Sequence, residues 1–87
     1  MAYKVEIHQT AQKQILSLPG EAQKRAALVI DSLAENPRSV GCKKLRDTDL
    51  WRVRVGTYRV IYTIEDNIKH VKVIKMATRR ENTYKLL

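Results

Sequence analysis

Three arginines, Arg52, Arg54 and Arg59, punctuate the otherwise apolar run Trp51-Arg52-Val53-Arg54-Val55-Gly56-Thr57-Tyr58-Arg59-Val60-Ile61-Tyr62. A guanidinium stays charged at every relevant pH and offers a rigid fork of donors. Several together suit the binding of phosphate or carboxylate, and the stabilisation of negative charge that develops on oxygen. For the same reason arginine is a poor general base, since a pKa above about 12 leaves almost none of it neutral near pH 7. The chemistry this cluster offers is electrostatic.

The spacing shows how the arginines are carried. Two alternating apolar and basic stretches are joined by Gly56-Thr57. That is the pattern of a β-hairpin closed by a two-residue type II′ turn, whose first position needs positive φ. Such a turn pairs Val55 with Tyr58, Arg54 with Arg59, Val53 with Val60, Arg52 with Ile61 and Trp51 with Tyr62. Alternation then gives Trp51, Val53, Val55, Tyr58, Val60 and Tyr62 one face, and Arg52, Arg54, Arg59 and Ile61 the other. A four-residue loop keeps these faces, whereas an odd loop with a bulge separates Arg54 from Arg59. Opposed arginines cost roughly a few tenths to one kcal/mol. Either the three splay apart and repel weakly through water, or a polyanion lies across the face and is gripped by guanidinium forks.

Eighty-seven residues make a single domain, 1–87, with a core that buries roughly 60 to 65% of the unfolded chain's surface. A hydrophobic fraction of 44% beside 30% charged residues, without low-complexity runs, is that of a globular protein and does not indicate disorder. No apolar run is long enough to span a bilayer and the N-terminus lacks the layout of a signal peptide, so a cytoplasmic location is expected. Cys42 is the only cysteine, which rules out an intrachain disulfide and a thiolate metal cluster. No metal or organic cofactor is implied. Net charge is +8, and it is uneven: residues 1–41 carry five Lys/Arg against four acids, residues 42–87 twelve against five. So concentrated a field favours a polyanion, either nucleic acid or an acidic protein segment. A membrane surface is the least favoured partner, because no basic amphipathic helix with large apolar residues accompanies the charge.

The elements that must position the hairpin are also legible. Tyr3-Lys4-Val5-Glu6-Ile7-His8 alternates with period two and predicts a first strand, with His8 a solvated surface residue. Thr10 stands where an N-cap belongs, before Ala11, Ile15 and Leu18 at helical spacing. Pro19-Gly20 breaks that helix. Pro19 opens a second one, with a stripe of Ala22, Ala26, Val29, Ile30 and Leu33 that ends at Asn36-Pro37. Residues 38–50 predict a connector with a short strand, anchored by Leu45 and Leu50 and carrying Lys43, Lys44 and Arg46. After the hairpin, Asp66-Asn67 predicts a second tight turn with positive φ at Asn, and 69–77 a last strand. Val71 and Val73 then face the core, while His70, Lys72, Ile74 and Met76 join the arginine face and make it a shallow mixed groove. The polar tail 78–87 leaves the sheet at the end where Gly56 turns. The predicted class is α+β, in the order β-α-α-β-β-β: a helical hairpin packed on one face of a small antiparallel sheet, with a basic open face opposite. Where the first strand joins is left open.

This order of elements, the hairpin motif and Met76-Ala77-Thr78-Arg79-Arg80-Glu81 together resemble the RelE/ParE superfamily of bacterial toxins. The resemblance spans the chain. It includes the Met1-Ala2-Tyr3 opening, the Leu18-Pro19 break, the Asn36-Pro37 stop and Lys44-Leu45-Arg46 before the hairpin. For the RelE branch it implies an endoribonuclease, or mRNA interferase, that cuts mRNA in the ribosomal A site and so inhibits translation. Carried over by position, Arg52 and Arg54 match the two basic residues of the first hairpin strand, and Arg59 the arginine of the Tyr-Arg pair. Arg79 matches the arginine after the last strand and Tyr84 the C-terminal tyrosine. The sequence departs from the pattern in two ways. Arginine stands where the best-known members have lysine, and Thr78 occupies a place where many relatives carry histidine, so no conventional base is evident.

On this resemblance, RNA is cleaved through its 2′-hydroxyl, with extra charge on a phosphorane to be stabilised. Arg59 and Arg79 are expected to bind the phosphate and transition state, Arg54 to stabilise charge and contact the leaving group, and Arg52 to position the backbone. Tyr84 either stacks on a base or packs on the sheet edge with Leu86 or Leu87. Lys43, Lys44 and Arg46 read as ribosomal-RNA contacts or as ordinary surface cations. The alternative is the ParE branch, a non-enzymatic inhibitor of DNA gyrase that uses the helical hairpin and tail. Both branches imply a cognate antitoxin whose acidic segment wraps the protein over the arginine face, with operator DNA reached only through that antitoxin. The RelE branch adds the ribosome with its mRNA and ribosomal RNA, and no membrane partner is implied.

Overall fold

The computed structural model of the protein describes residues 2–39 and 41–78. β1 (Lys4–Ile7) leads into α1 (Gln9–Leu16) and α2 (Gly20–Glu35). The two-residue β2 (Lys43–Lys44) and three longer strands follow: β3 (Leu50–Val55), β4 (Tyr58–Glu65) and β5 (His70–Thr78). They build one sheet in the order β1-β5-β4-β3-β2. The α+β class stands as expected, and the connector does contain a short strand. The antiparallel expectation holds for β2 to β5. β1 is the exception: Lys4 to Ile7 run parallel to β5, opposite His70 to Val73, which makes the sheet mixed. The helical hairpin carries the chain from one edge of the sheet to the other, and this leaves β1 free to add beside β5.

α1 is capped two residues earlier than expected. Thr10 N–H donates to His8 Nδ1 at 3.2 Å, so the imidazole of His8, and not Thr10, satisfies an orphan amide of the first turn. Pro19 precedes α2 and Asn36 closes it, with Asn36 Oδ1 accepting from Arg38 N–H at 3.1 Å. The apolar stripe of α2 delivers Ala26, Ile30 and Leu33, with Ala11 from α1, onto Val53, Val55, Val60, Tyr62, Val71, Val73 and Met76 of the sheet. Each large side chain buried there is worth roughly 1.5 to 3 kcal/mol relative to exposure. Tyr62, fully buried, donates its hydroxyl to the Pro37 carbonyl at 2.7 Å and pins the end of α2 to the sheet. A second clasp forms beside it. Arg38 meets Asp66 through two bonds of 3.0 and 2.8 Å, lies over the Trp51 ring at 5.2 Å, and shares Asp66 with the Tyr3 hydroxyl at 2.7 Å.

The hairpin register matches the expected one pair for pair, from Val55 opposite Tyr58 to Trp51 opposite Tyr62. Gly56 has φ +62, and Thr57 is not among the residues with positive φ, as a type II′ turn requires. The second turn differs. Asp66 to Ile68 make a single 3₁₀ turn and Lys69, not Asn67, takes the left-handed conformation at φ 49. Four residues then separate Glu65 from its partner His70, an even number, so Val71 and Val73 still face the core.

Further along β5 the alternation breaks. Tyr62 pairs with Val73 and Ile61 with Lys75, leaving Ile74 as the extra residue of a β-bulge. The expected place of Met76 on the arginine face is thereby corrected: Met76 pairs with Val60 and packs in the core. The reason is electrostatic. Without the bulge Lys75 would lie opposite the fully buried Val60, and removing an unpaired ammonium from water costs several kcal/mol.

Candidate nucleic-acid interface

The sheet face away from the helices is built in rows by the register. One row runs Lys43, Arg52, Ile61, Lys75 across β2, β3, β4 and β5. The next, two residues nearer the Gly56 turn, runs Arg54, Arg59, Ala77. Arg54 and Arg59 thus stand opposite each other with Arg52 two residues along, as the alternation predicts. Ile61 is 0% exposed and Ala77 2%, so an apolar floor lies among the cations. Of the three apolar residues expected here, Ile61 holds its place, Met76 is in the core, and Ile74 is the unpaired residue of the bulge.

A groove of 580 Å³ opens where β2 and the following loop rise beside this face. It is lined by Lys43, Lys44, Leu45, Arg46, Thr48, Arg52 and Arg59. The loop is a tight reverse turn. Leu45 N–H donates to the Leu50 carbonyl at 2.8 Å, the Thr48 hydroxyl donates to the Leu45 carbonyl at 2.9 Å, and Leu50 N–H donates to Thr48 Oγ1 at 3.1 Å. Asp47, at φ 59, lets the chain reverse there. The turn sets Arg46 against the hairpin. Among the described residues, five cations line the groove and no acid does, so the potential they set up is positive and suits a phosphodiester backbone.

Lys43, Lys44, Arg46, Arg52 and Arg59 come together in this groove. Arg54 is exposed beside it, on the same face but outside the lining. Lys44 lies opposite Trp51 in the register, so its side alternates toward the helical face, and it also lines a second groove of 430 Å³ with Arg38, Asp49 and Trp51. Arg79 and Tyr84 lie outside the described residues. Neither histidine lines the groove. His8 caps α1, and His70 is held by Glu6 at 3.1 Å six residues along the ladder from the Arg59 row, roughly 20 Å at the rise of a strand.

Lys75 was not anticipated here. Its signal was nevertheless in the sequence: Val71 and Val73 face the core, so strict alternation assigns Lys75 to the core as well, and a lysine in that position marks a break in the pattern.

The family described as the ParE toxin of the type II toxin-antitoxin system, parDE, matches residues 5–83. A Mycobacterium tuberculosis protein named Toxin RelE is 34% identical over 86 residues, covering 97% of this chain and 88% of that protein. Among solved structures, the fold matches a chain of the archaeal RelE-RelB complex from Pyrococcus horikoshii OT3 with a TM-score of 0.82 and 34% identity, covering 93% of this chain and 99% of that one. It also matches a chain of the toxin-antitoxin complex RelBE2 from Mycobacterium tuberculosis, with a TM-score of 0.81, 26% identity, and coverage of 91% and 100%.

Proposed function

Because this chain belongs to the RelE/ParE superfamily and is a RelE-family toxin of a type II toxin-antitoxin system, we propose that it is a ribosome-dependent endoribonuclease that cleaves mRNA in the A site and thereby inhibits translation. The observation that carries this reading is the groove that five cations and no acid line among the described residues, with Arg54, just outside it, paired with Arg59 of the lining. In this reading the RNA backbone lies across the face. Arg59 and Arg79 bind the scissile phosphate and the charge of the phosphorane, Arg54 stabilises the departing oxygen, and Arg52 fixes the register of the strand. Tyr84 orients a base, and Lys43, Lys44 and Arg46 hold adjacent phosphates of mRNA or ribosomal RNA.

The described residues of this face offer arginines and lysines in place of a conventional base, so the proton of the 2′-hydroxyl has no strong acceptor there. Geometry can compensate. Reactants held in line gain up to roughly 7 to 11 kcal/mol, and a ribosome that fixes the mRNA supplies that alignment. The same argument makes cleavage of free RNA slow. A cognate antitoxin with an acidic segment over the arginine face neutralises the site, and operator DNA is reached through the antitoxin. The toxin-antitoxin complexes among the solved structures of relatives support an antitoxin partner.

One observation favours a second reading: the matching family is described by its ParE members. A ParE-type toxin would block DNA gyrase without cutting RNA. Primer extension on mRNA in programmed ribosomes, run beside a gyrase supercoiling assay, separates the two. Codon-spaced cuts with unaffected supercoiling are expected; intact mRNA with blocked gyrase would overturn the nuclease.

A further inference from the structure

We propose that Lys75 is a further phosphate-binding residue of this site, turned onto the arginine face by the β5 bulge and kept there by Gln14 from the opposite side of the sheet. The proposal rests on the nucleic-acid reading of that face. Lys75 lies opposite Ile61, in the row that holds Lys43 and Arg52. It is also a diagonal neighbour of Arg59, whose direct partner is Ala77 two residues on. Diagonal neighbours lie roughly 7 to 8 Å apart, close enough for an ammonium and a guanidinium to grip one phosphate or two successive ones. The floor between Lys75 and Arg52 is the buried Ile61, an apolar surface on which the stem of a lysine can lie while its head stays in water. None of the ion pairs among the described residues engages Lys75; they join Glu21 to Arg25, Asp66 to Arg38 and Glu6 to His70. Among the described residues no carboxylate claims its charge.

The bulge that turns Lys75 outward has its own support. β1 ends opposite Val73, and beyond that point Met76 N–H donates to Gln14 Oε1 at 2.7 Å, so a side chain of α1 stands in for the missing strand. Bulges beside functional sites re-aim side chains, and here the change of parity exchanges Met76 for Lys75 on the basic face. Gln14 touches no ligand in this arrangement. It is a positioning residue, acting through Lys75.

The test compares cleavage of mRNA in programmed ribosomes by the full-length wild type, Lys75→Met, Lys75→Arg, Gln14→Leu, the Gln14→Leu/Lys75→Met double variant and Arg59→Ala. A companion titration follows binding of a fluorescent single-stranded RNA against salt. Loss of one charged contact predicts a fall of about tenfold in cleavage for Lys75→Met, with the salt slope reduced by about 0.7. Lys75→Arg keeps both. Gln14→Leu lowers cleavage, and the double variant falls no further than Lys75→Met, because the two residues act through one contact. Wild-type cleavage and salt slope in Lys75→Met, with Arg59→Ala impaired, would overturn the Lys75 assignment and leave the site standing. Additive losses in the double variant would overturn the role of Gln14. Undiminished cleavage in Arg59→Ala would remove the site reading itself, and this proposal with it.

Discussion

Arg54 and Arg59 face each other directly across the β3–β4 ladder, like charges where cross-strand pairing favours opposite ones. A fold selected for stability alone would not place them so. Replacing Arg54 by threonine, a good strand former, is predicted to raise stability by roughly 0.3 to 1 kcal/mol. The same change is predicted to lower mRNA cleavage about a hundredfold through lost charge stabilisation. Urea unfolding and cleavage kinetics on one preparation check both. A variant that is less stable and fully active would contradict the trade.

The hairpin that creates this pairing depends on one dihedral. Gly56 adopts φ +62, and among the described residues a Cβ placed there would meet only Arg25 Nη1 at 3.8 Å, an ordinary contact. The strain of Gly56→Ala is therefore conformational, not steric, and is predicted to cost about 1 kcal/mol. In a domain of this size that lowers Tm by about 4 to 8 °C. Calorimetry decides it, and an unchanged Tm would show that the turn relaxes to another type.

The clasp at the other end of the sheet titrates. Hydrogen bonds from Arg38, then from Tyr3, hold the Asp66 carboxyl at a pKa of about 2, below its ordinary 3.8. Because the folded value is the lower one, the stabilisation is complete above the ordinary value and disappears as pH falls through the folded one. Asp66→Asn is predicted to flatten the loss of stability between about pH 4 and pH 2, as followed by acid unfolding monitored by circular dichroism. An acid limb identical to the wild type would show that the clasp contributes nothing.

Tyr62 is predicted to matter through its hydroxyl as well as its ring. Burial pushes its phenol well above the usual tyrosine range, so it remains a donor to Pro37 at every physiological pH. Tyr62→Phe leaves the Pro37 carbonyl without that donor and should cost roughly 1 to 2 kcal/mol in urea unfolding. A neutral substitution would mean that water replaces the hydroxyl.

Much of this architecture was legible because its signals are local. The glycine-led turn determines the hairpin register, and the stripe from Ala22 to Leu33 identifies the buried face of α2. Two features escaped because they depend on distant parts of the chain. Whether β1 lies parallel or antiparallel depends on which strand it joins, and nothing between Tyr3 and His8 names β5 as its neighbour. The bulge needs Gln14, far away on α1, to accept from Met76, and it carries no glycine to announce it. The cationic residues of the groove were identifiable by type. The exclusion of Asp47 and Asp49 was not, since the turn from Leu45 to Asp49 brings Arg46 inward and leaves both carboxylates out of the lining.

The most direct test of a guanidinium-lined phosphate site is single-turnover cleavage of ribosome-bound mRNA by Arg54→Ala, Arg59→Ala, Arg79→Ala and the triple variant, each first shown to be folded. The account predicts losses of about a hundredfold or more for Arg59→Ala and no detectable cutting by the triple variant. Cutting at the wild-type rate by the folded triple variant would contradict it.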